Sequence, residues 1–170
     1  MYVTLMILQK IYSRANTPKK CNLMLKTLLT ADVIHIVKQA TDWRDAIAIA
    51  CKPLIDNGAI EPRYIDAIYR THEEIGPYYV VGPGIAMPHA RPEDGVNKLS
   101  LALTVISDGV TFNAQENDPV KLLIVLAATD SHSHINVISQ LAQLFNNQDD
   151  TNAILHAKTQ QDILSVIARY

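Results

Sequence analysis

Residues 99–127, LSLALTVISDGVTFNAQENDPVKLLIVLA, carry an apolar run at each end. The runs Leu99 to Ile106 and Leu122 to Ala127 are almost uninterrupted, a pattern typical of strands that are covered on both faces. Because a strand covered on both faces needs a layer of structure above and below it, this stretch predicts the centre of a layered domain.

Strand and helix patterns alternate on both sides of this stretch. The predicted elements are a strand at 33–37, a helix capped by Thr41 or Asp42, a helix from Pro62 to about Gly76, a strand at 78–81, a short strand at 110–112 after the Asp108-Gly109 turn, a helix capped by Ser131 or Ser133, and helices at about 149–157 and 159–169. Strands that alternate with helices predict an α/β fold, a single layered domain with a central sheet and helices on both faces.

The composition limits the class of protein. A chain of 170 residues fits one domain with at most a small arm, and 48% hydrophobic residues are typical of a globular protein. With 15 Lys and Arg against 17 Asp and Glu, the chain lacks the basic excess of a broad nucleic-acid surface. Cys21 and Cys51 form neither a CxxC pair nor a secreted disulfide framework, so we predict a cytoplasmic protein.

The first 23 residues differ from the rest of the chain. Their apolar run, Val3 to Leu8, is far shorter than the roughly 20 residues that span a bilayer, and their basic residues follow that run, whereas a signal peptide has them before it. Met24 opens a segment typical of a natural N-terminus. We therefore expect the folded domain at 24–170, and we interpret 1–23 as a loose extension or a start-site artefact.

His89 lies in a segment rich in glycine and proline, VVGPGIAMPHARPEDG at 80–95. Glycines and prolines follow a predicted apolar strand, and such loops often carry functional side chains. Pro88 restricts the residue before it to extended conformations, which fixes the approach to His89. Arg91 offers a planar cation suited to phosphate oxygens. An exposed loop histidine without function is equally compatible with this spacing.

His132 and His134 form an HxH pattern at the start of a predicted helix. They could be two metal ligands, but no third ligand stands at a recognisable spacing, so we predict no metal and keep a metal-dependent hydrolase as the weaker alternative. A helix N-terminus also attracts anions, so one or both histidines could orient a phosphoryl group. The remaining histidines are predicted to be structural, namely His35, His72 and His156.

Two segments resemble a known family, PGIAMPHARPEDG at 83–95 and NDPVKLLIVLAATDSHSHINVISQLAQLF at 117–145. They are similar to the A component (EIIA) of the mannitol/fructose class, type 2, of the bacterial phosphoenolpyruvate-dependent sugar phosphotransferase system (PTS). The ascorbate-type and cryptic-mannitol-type branch is the most similar. The resemblance covers about 24–170 and implies a mixed β-sheet sandwiched by helices.

The resemblance implies a phosphoryl-carrier enzyme. His89 matches the phosphorylated histidine of the family, and His134 matches the second active-site histidine beside it. Members take the phosphoryl group from the carrier protein HPr and pass it to a cysteine of EIIB, which phosphorylates a sugar during uptake through the membrane component EIIC. No cofactor or metal is implied. An ascorbate-like sugar or a sugar alcohol is the expected substrate.

The chain also departs from the family pattern. Mannitol-type relatives have a glutamate before the IAxPH segment, where this chain has Pro83-Gly84. They also have an active-site arginine on the preceding helix. Arg70 lies near that place, but its alignment with the family arginine is not fixed to the residue. Arg91 is therefore our hypothesis for a phosphate-binding residue.

Two further alternatives stay open at this point. The chain could be a regulatory module of the same fold, whose phosphorylation state is read by a partner protein. An apolar docking surface is expected around the phosphorylated histidine. Ile85, Ala86 and Met87 are either part of that surface or part of the core.

Overall fold

The computed structural model describes residues 24–170, so the extension predicted for 1–23 lies outside the described residues. The helices are α1 Leu25–Leu28, α2 Trp43–Asp56, α3 Pro62–Ile75, α4 Ser131–Asn146, α5 Gln148–Leu155 and α6 Gln160–Ile167, and the strands are β1 Ile34–Val37, β2 Val80–Gly82, β3 Ile85–Ala86, β4 Ser100–Val110 and β5 Val120–Ala127. Over 24–170, none of these helices has both the length and the apolar character needed to cross a membrane.

The five strands form one mixed sheet in the order β1-β4-β5-β3-β2. β1 pairs parallel with β4, and β3 pairs parallel with β5, whereas the β4–β5 and β2–β3 pairs are antiparallel. The two apolar runs of the 99–127 stretch thus become neighbouring central strands. The predicted α/β fold is confirmed.

The core lies on both faces of the central strands. Successive side chains of a strand point to opposite faces, and the consecutive residues Leu101, Ala102 and Leu103 are all fully buried. Helix α2 packs on β4 and β5, while α1 and α5 also contact β4 and α6 contacts β1. Helices therefore cover the sheet on both faces, as predicted.

Short-range chemistry sets the ends of the two helices that precede the site. Asp42 caps α2, because its carboxylate accepts the N–H of Asp45 at 2.9 Å. Gly58 adopts a φ of +71° after that helix, the left-handed conformation that glycine tolerates. Pro62 then begins α3, which the sequence predicted.

The separate short strand predicted at 110–112 is wrong. β4 runs on to Val110 with a register irregularity after Val105, so no turn separates two strands there. Gly109 has a φ of +75°, and a Cβ placed on it would lie 2.9 Å from the Pro119 ring. The glycine therefore allows a close approach within a bulged strand, and its presence does not mark a hairpin turn.

The two-residue strand β3 was not predicted, and it decides where the residues before His89 lie. Its backbone pairs with β5 on one side and with β2 on the other. Ile85, Ala86 and Met87 are buried and belong to the core, so their alternative as an exposed docking surface is wrong.

Candidate active site

The two predicted site histidines meet at the carboxyl ends of strands β3 and β5. His89 follows β3, and His134 lies in the first turn of α4, which follows β5. Because β3 and β5 are parallel neighbours, their carboxyl ends lie side by side and the segments after them come together. The centroids of the two imidazole rings are 5.6 Å apart, and the ring planes are inclined at 48°.

One ring nitrogen of His89 is held by the chain itself. Its Nδ1 lies 2.8 Å from the carbonyl oxygen of Met87. A carbonyl oxygen only accepts hydrogen bonds, so this contact assigns the proton of the neutral ring to Nδ1 and leaves a lone pair on Nε2. Burial lowers the pKa of His89, although the bond to Met87 acts in the opposite direction. A neutral imidazole with a free Nε2 is a nucleophile.

Strand β5 and helix α3 hold the loop that carries His89. The N–H of Leu126 donates to the carbonyl of Pro88 at 3.2 Å. The buried hydroxyl of Tyr64 on α3 accepts the N–H of Ala90 at 2.9 Å and donates to the carbonyl of Leu126 at 2.7 Å. The irregular loop therefore has partners for its main-chain polar groups although it belongs to no strand.

A second tyrosine contacts the same loop from the segment before β2. The hydroxyl of Tyr78 donates to the carbonyl of His89. The Tyr78 ring also lies edge-on to the imidazole, with ring centroids 5.5 Å apart. One residue on, the carbonyl of Tyr79 accepts the N–H of Met87 at 2.8 Å.

Sequence reasoning missed both tyrosines as site residues. Tyr64 lies inside the helix predicted from Pro62, and Tyr78 begins the strand predicted at 78–81. The signal that could have found them is chemical, because a buried tyrosine needs a hydrogen-bond partner for its hydroxyl. That partner cannot be read from a helical or strand period.

The start of α4 is capped by Asp130, so the predicted caps Ser131 and Ser133 are both wrong. Asp130 has an extended backbone, and its carboxylate accepts the N–H of Ser133 at 2.8 Å and the hydroxyl of Ser133 at 2.7 Å. These bonds lower the pKa of Asp130. The cap places His134 in the first turn, where its own N–H donates to the carbonyl of Asp130.

His134 lines the same cavity as His89. Burial lowers its pKa, and the neighbouring imidazole of His89 adds to this effect. Within residues 24–170, its buried Nε2 has no hydrogen-bond partner. The cavity there measures about 70 Å³, which is room for several water-sized groups. It is lined by His89, Ala90, Pro92, Leu126, Ala128, Asp130, Ser131 and His134.

The candidate arginines lie outside that cavity. Arg91 is exposed, and its main-chain N–H donates to the carboxylate of Asp94 at 3.1 Å. Arg70 is exposed on α3. Pro83 and Gly84, which replace the glutamate of the mannitol-type pattern, form the turn between β2 and β3, and Gly84 has a φ of +74°.

His132 points away from the pair. It is exposed, and its Nε2 accepts the side-chain N–H of Asn136 at 3.2 Å. Across residues 24–170, no group of three or more His, Cys, Asp or Glu side chains is arranged to hold a metal ion. The HxH pattern therefore contributes one residue to the site, and that residue is His134.

The remaining histidines lie in packing and helix-end positions. His72 is buried and stacks on Trp43, with ring centroids 3.8 Å apart, and its Nδ1 lies 2.6 Å from the hydroxyl of Tyr79. His156 follows the last residue of α5, and its Nδ1 donates to the carbonyl of Asn152.

Comparisons with known proteins point to one family. The family model described as the phosphoenolpyruvate-dependent sugar phosphotransferase system, EIIA 2, matches residues 27–170. The chain is 39% identical, over 137 residues, to the ascorbate-specific PTS system EIIA component of Shigella boydii, a match that covers 80% of this chain and 89% of that protein.

Two solved structures share the fold. The solution structure of the mannitol-specific cryptic phosphotransferase enzyme IIA CmtB from Escherichia coli is similar at a TM-score of 0.81 and 36% identity, over 87% of this chain and all of that one. The complex of enzyme IIAMTL and phosphorylated enzyme IIBMTL, also from Escherichia coli, matches at a TM-score of 0.72 and 27% identity, over 84% of this chain and 100% of that chain.

Proposed function

The chain belongs to the EIIA 2 family of the phosphoenolpyruvate-dependent sugar phosphotransferase system, and we propose that it carries the phosphoryl group on Nε2 of His89. It is thus a phosphotransferase component of a sugar-transport system. In the proposed cycle, phospho-HPr gives the phosphoryl group to His89, which passes it to a cysteine of an EIIB protein or domain. The observation that carries this proposal is the contact of His89 Nδ1 with the Met87 carbonyl, which leaves the lone pair on Nε2, in a ring whose centroid is 5.6 Å from that of His134.

The chemistry follows from the hydrogen bond of the ring. The lone pair of Nε2 attacks phosphorus in line with the leaving nitrogen of the HPr phosphohistidine, so one P–N bond forms as the other breaks. The proton on Nδ1 stays where it is and donates to the carbonyl of Met87. That contact supports the positive charge that spreads over the ring during attack. The protein mainly positions the reactants and stabilises charge, and this scheme uses no cofactor or metal.

His134 has the place and the chemistry to bind the transferred group. Burial and the neighbouring His89 lower the pKa of its ring, which favours the neutral form, and its buried Nε2 has no hydrogen-bond partner among residues 24–170. With its proton on Nε2, the ring donates a hydrogen bond to a phosphoryl oxygen. The loop beyond His89 carries Arg91, which is exposed, and the next residue, Pro92, lines the cavity. We assign it a supporting role in phosphate binding.

The partners follow from the family and its relatives. An EIIB partner is supported by the solved complex of enzyme IIAMTL with phosphorylated enzyme IIBMTL. HPr and, indirectly, the membrane component EIIC complete the proposed relay, which operates in the cytoplasm. The ascorbate-specific and mannitol-specific names of the relatives support an ascorbate-like sugar or a sugar alcohol as the transported substrate.

Phosphorylation followed by intact mass tests the carrier role. The full chain is incubated with phosphoenolpyruvate, enzyme I and HPr, and its mass is compared with that of His89→Ala and His132→Ala. We expect one phosphoryl group on the wild type and on His132→Ala, which lacks an exposed histidine outside the cavity, and none on His89→Ala. An unmodified wild type that is folded, or a phosphorylated His89→Ala, would contradict the proposal.

Transfer to EIIB tests the substrate. Phosphorylated chain is mixed with the EIIB of an ascorbate system or with the EIIB of a mannitol system, and loss of its phosphoryl group is followed over time. Faster transfer to the ascorbate-type EIIB supports an ascorbate-like substrate, and faster transfer to the mannitol-type EIIB supports a sugar alcohol. Transfer to neither would contradict both.

A further inference from the structure

We infer that Tyr64 and Tyr78 are positioning residues that together hold the peptide unit between His89 and Ala90, and through it the orientation of the phosphoacceptor imidazole. This inference rests on the proposed function of His89. Neither tyrosine lines the cavity. Both hydroxyls bond to the main chain of the loop, and the Tyr78 ring also lies edge-on to the imidazole.

Both polar groups of a single peptide unit are bound by phenol hydroxyls. The carbonyl of His89 accepts from Tyr78, and the N–H of Ala90 donates to Tyr64 at 2.9 Å. These two groups belong to the same planar amide, so bonds at its two edges fix the rotation of the whole plane. That rotation sets the backbone dihedral on the carboxyl side of His89, and hence the direction in which its side chain leaves the chain.

Each hydroxyl is attached to a rigid part of the fold. Tyr64 is fully buried on α3 and also donates to the carbonyl of Leu126 at 2.7 Å, so it joins the loop to the end of β5. The ring of Tyr78 packs edge-on against that of Tyr79, with centroids 4.9 Å apart. The peptide unit between His89 and Ala90 is therefore connected to a helix, to a central strand and to an aromatic cluster.

The same short segment holds the acceptor of the imidazole proton. The N–H of Met87 donates to the carbonyl of Tyr79, and the carbonyl of Met87 accepts from Nδ1 of His89. The main chain is therefore held on both sides of this contact. The carbonyl of Tyr79 holds the N–H of Met87, and the hydroxyl of Tyr78 holds the carbonyl of His89. If the plane after His89 rotates, this bond weakens and the proton of the ring is no longer confined to Nδ1.

The two hydroxyls stay protonated throughout the working range of pH. Burial raises the pKa of Tyr78 to about 12 and raises the pKa of Tyr64 as well. Both hydroxyls therefore remain protonated donors. Their hydrogen bonds are unchanged over the pH range in which the imidazole of His89 gains a proton.

Single hydroxyl deletions test the inference. Tyr64→Phe and Tyr78→Phe are compared with Tyr69→Phe, which also loses one hydroxyl bond to a main-chain carbonyl, that of Arg44, on the same helix α3 as Tyr64. Two readouts are needed, the rate of phosphoryl acceptance from phospho-HPr and the ¹⁵N chemical shifts of the His89 imidazole in the unphosphorylated protein. Thermal melting checks that each variant is folded.

We expect each of the two variants to accept the phosphoryl group about tenfold more slowly, because sub-ångström misplacement of a nucleophile is costly. We also expect their ¹⁵N shifts to move from a single Nδ1–H tautomer towards a mixture, while Tyr69→Phe keeps the rate and the shifts of the wild type. The ¹⁵N readout does not depend on phosphorylation. A tautomer change in a protein that accepts no phosphoryl group would therefore count against the proposed function and not against this inference.

Three results would overturn the inference. One is an unchanged rate and unchanged ¹⁵N shifts in both folded variants. Another is a slower rate with unchanged shifts, because a merely structural tyrosine would act in that way. The third is loss of the fold in both variants, which would assign the hydroxyls to stability alone. If only Tyr64→Phe unfolds, Tyr78→Phe decides.

Discussion

The two histidines of the site stand 5.6 Å apart, yet the protein holds them in different ways. His89 is held by a ring bond to the Met87 carbonyl and, at the peptide unit that follows it, by the buried Tyr64 hydroxyl and the half-buried Tyr78 hydroxyl. His134 depends on a helix end whose cap, Asp130, is exposed, and its own Nε2 is unpartnered within the described chain. The fold therefore gives the ring and main chain of His89 fixed partners, whereas the Nε2 of His134 has none within residues 24–170.

This difference has an energetic basis. A buried main-chain group that loses its partner costs about 1–3 kcal/mol, whereas an exposed helix cap contributes about 1 kcal/mol. A second imidazole whose Nε2 has no partner within residues 24–170 suits a carrier that must bind a phosphoryl group on arrival and release it to the next protein. Changes at His134, at its helix cap, at Arg91 or in pH test whether the two histidines differ in this way.

The largest effect is expected from His134→Ala. This variant removes a donor at the place where phosphoryl oxygens would lie, so we expect acceptance from phospho-HPr to slow by about a hundredfold while His89 is still modified at long times. Rapid-quench measurement of the transfer rate checks this. His132→Ala is the control, because His132 lies on the same helix and its exposed side chain bonds to Asn136. Equal rates in the two variants would remove His134 from the account.

The pH dependence is expected to follow the fixed histidine. Burial lowers the pKa of His89 from its ordinary 6.5, so the ring stays neutral below that value. The rate of acceptance should therefore hold steady as the pH falls through 6.5 and decline, about tenfold per unit, only below the lowered pKa, where the protonated ring lacks its lone pair. A pH–rate profile with phospho-HPr checks this, and a decline that begins above pH 6.5 would contradict it.

The same sign applies to stability. The folded protein favours the neutral forms of His89 and His134, whose pKa values are both lowered. Their contribution to the free energy of unfolding is therefore present above the unfolded pKa and is lost as the pH falls through the folded values. Denaturant unfolding of the wild type and of a double His89→Ala, His134→Ala variant between pH 7 and 5 would show a smaller loss in the variant.

A smaller effect is expected from the exposed cap of α4. Asp130→Ala should lower the free energy of unfolding by about 1 kcal/mol and slow transfer by about threefold to tenfold, because it loosens the turn that carries His134. Thr159→Ala is a matched control, since it removes the cap of α6, which is not part of the site. Similar loss of stability with a normal rate is expected for the control. Identical rates in both variants would show that the cap does not position His134.

The smallest effect is expected from Arg91→Ala. An exposed cation contributes at most about 1 kcal/mol, so we expect transfer to slow by about threefold at low salt and by less at high salt. Lys52→Ala, on α2, removes an equally exposed cation whose partner is Asp56. If Arg91→Ala transfers at the rate of Lys52→Ala, Arg91 has no role in phosphate binding.

The sequence was most informative where the pattern is local. The uninterrupted apolar runs predicted β4 and β5, and Pro62 predicted the start of α3. Spacing alone leaves an exposed loop histidine equally compatible at 89 and does not choose between His132 and His134. The resemblance to the EIIA family singles out His89 and His134, the two residues that the fold brings together.

The remaining features depend on contacts between distant segments. Tyr64 and Leu126 are 62 residues apart, so no local period indicates that the hydroxyl of one meets the carbonyl of the other. β3 has two residues and exists only because β5 and β2 flank it. The cap of α4 was displaced by one position, since Asp130 and Ser131 are both good cap residues and only the backbone conformation distinguishes them.

The most direct test of the account is the identity of the phosphorylated atom. In the proposed mechanism, the Nδ1 bond to Met87 leaves Nε2 of His89 as the nucleophile. ³¹P and ¹⁵N NMR of the phosphorylated, ¹⁵N-histidine-labelled chain distinguishes the two isomers of phosphohistidine by their couplings. We predict phosphorus on Nε2 and a proton retained on Nδ1. A phosphoryl group on Nδ1, or on another histidine, would contradict the account.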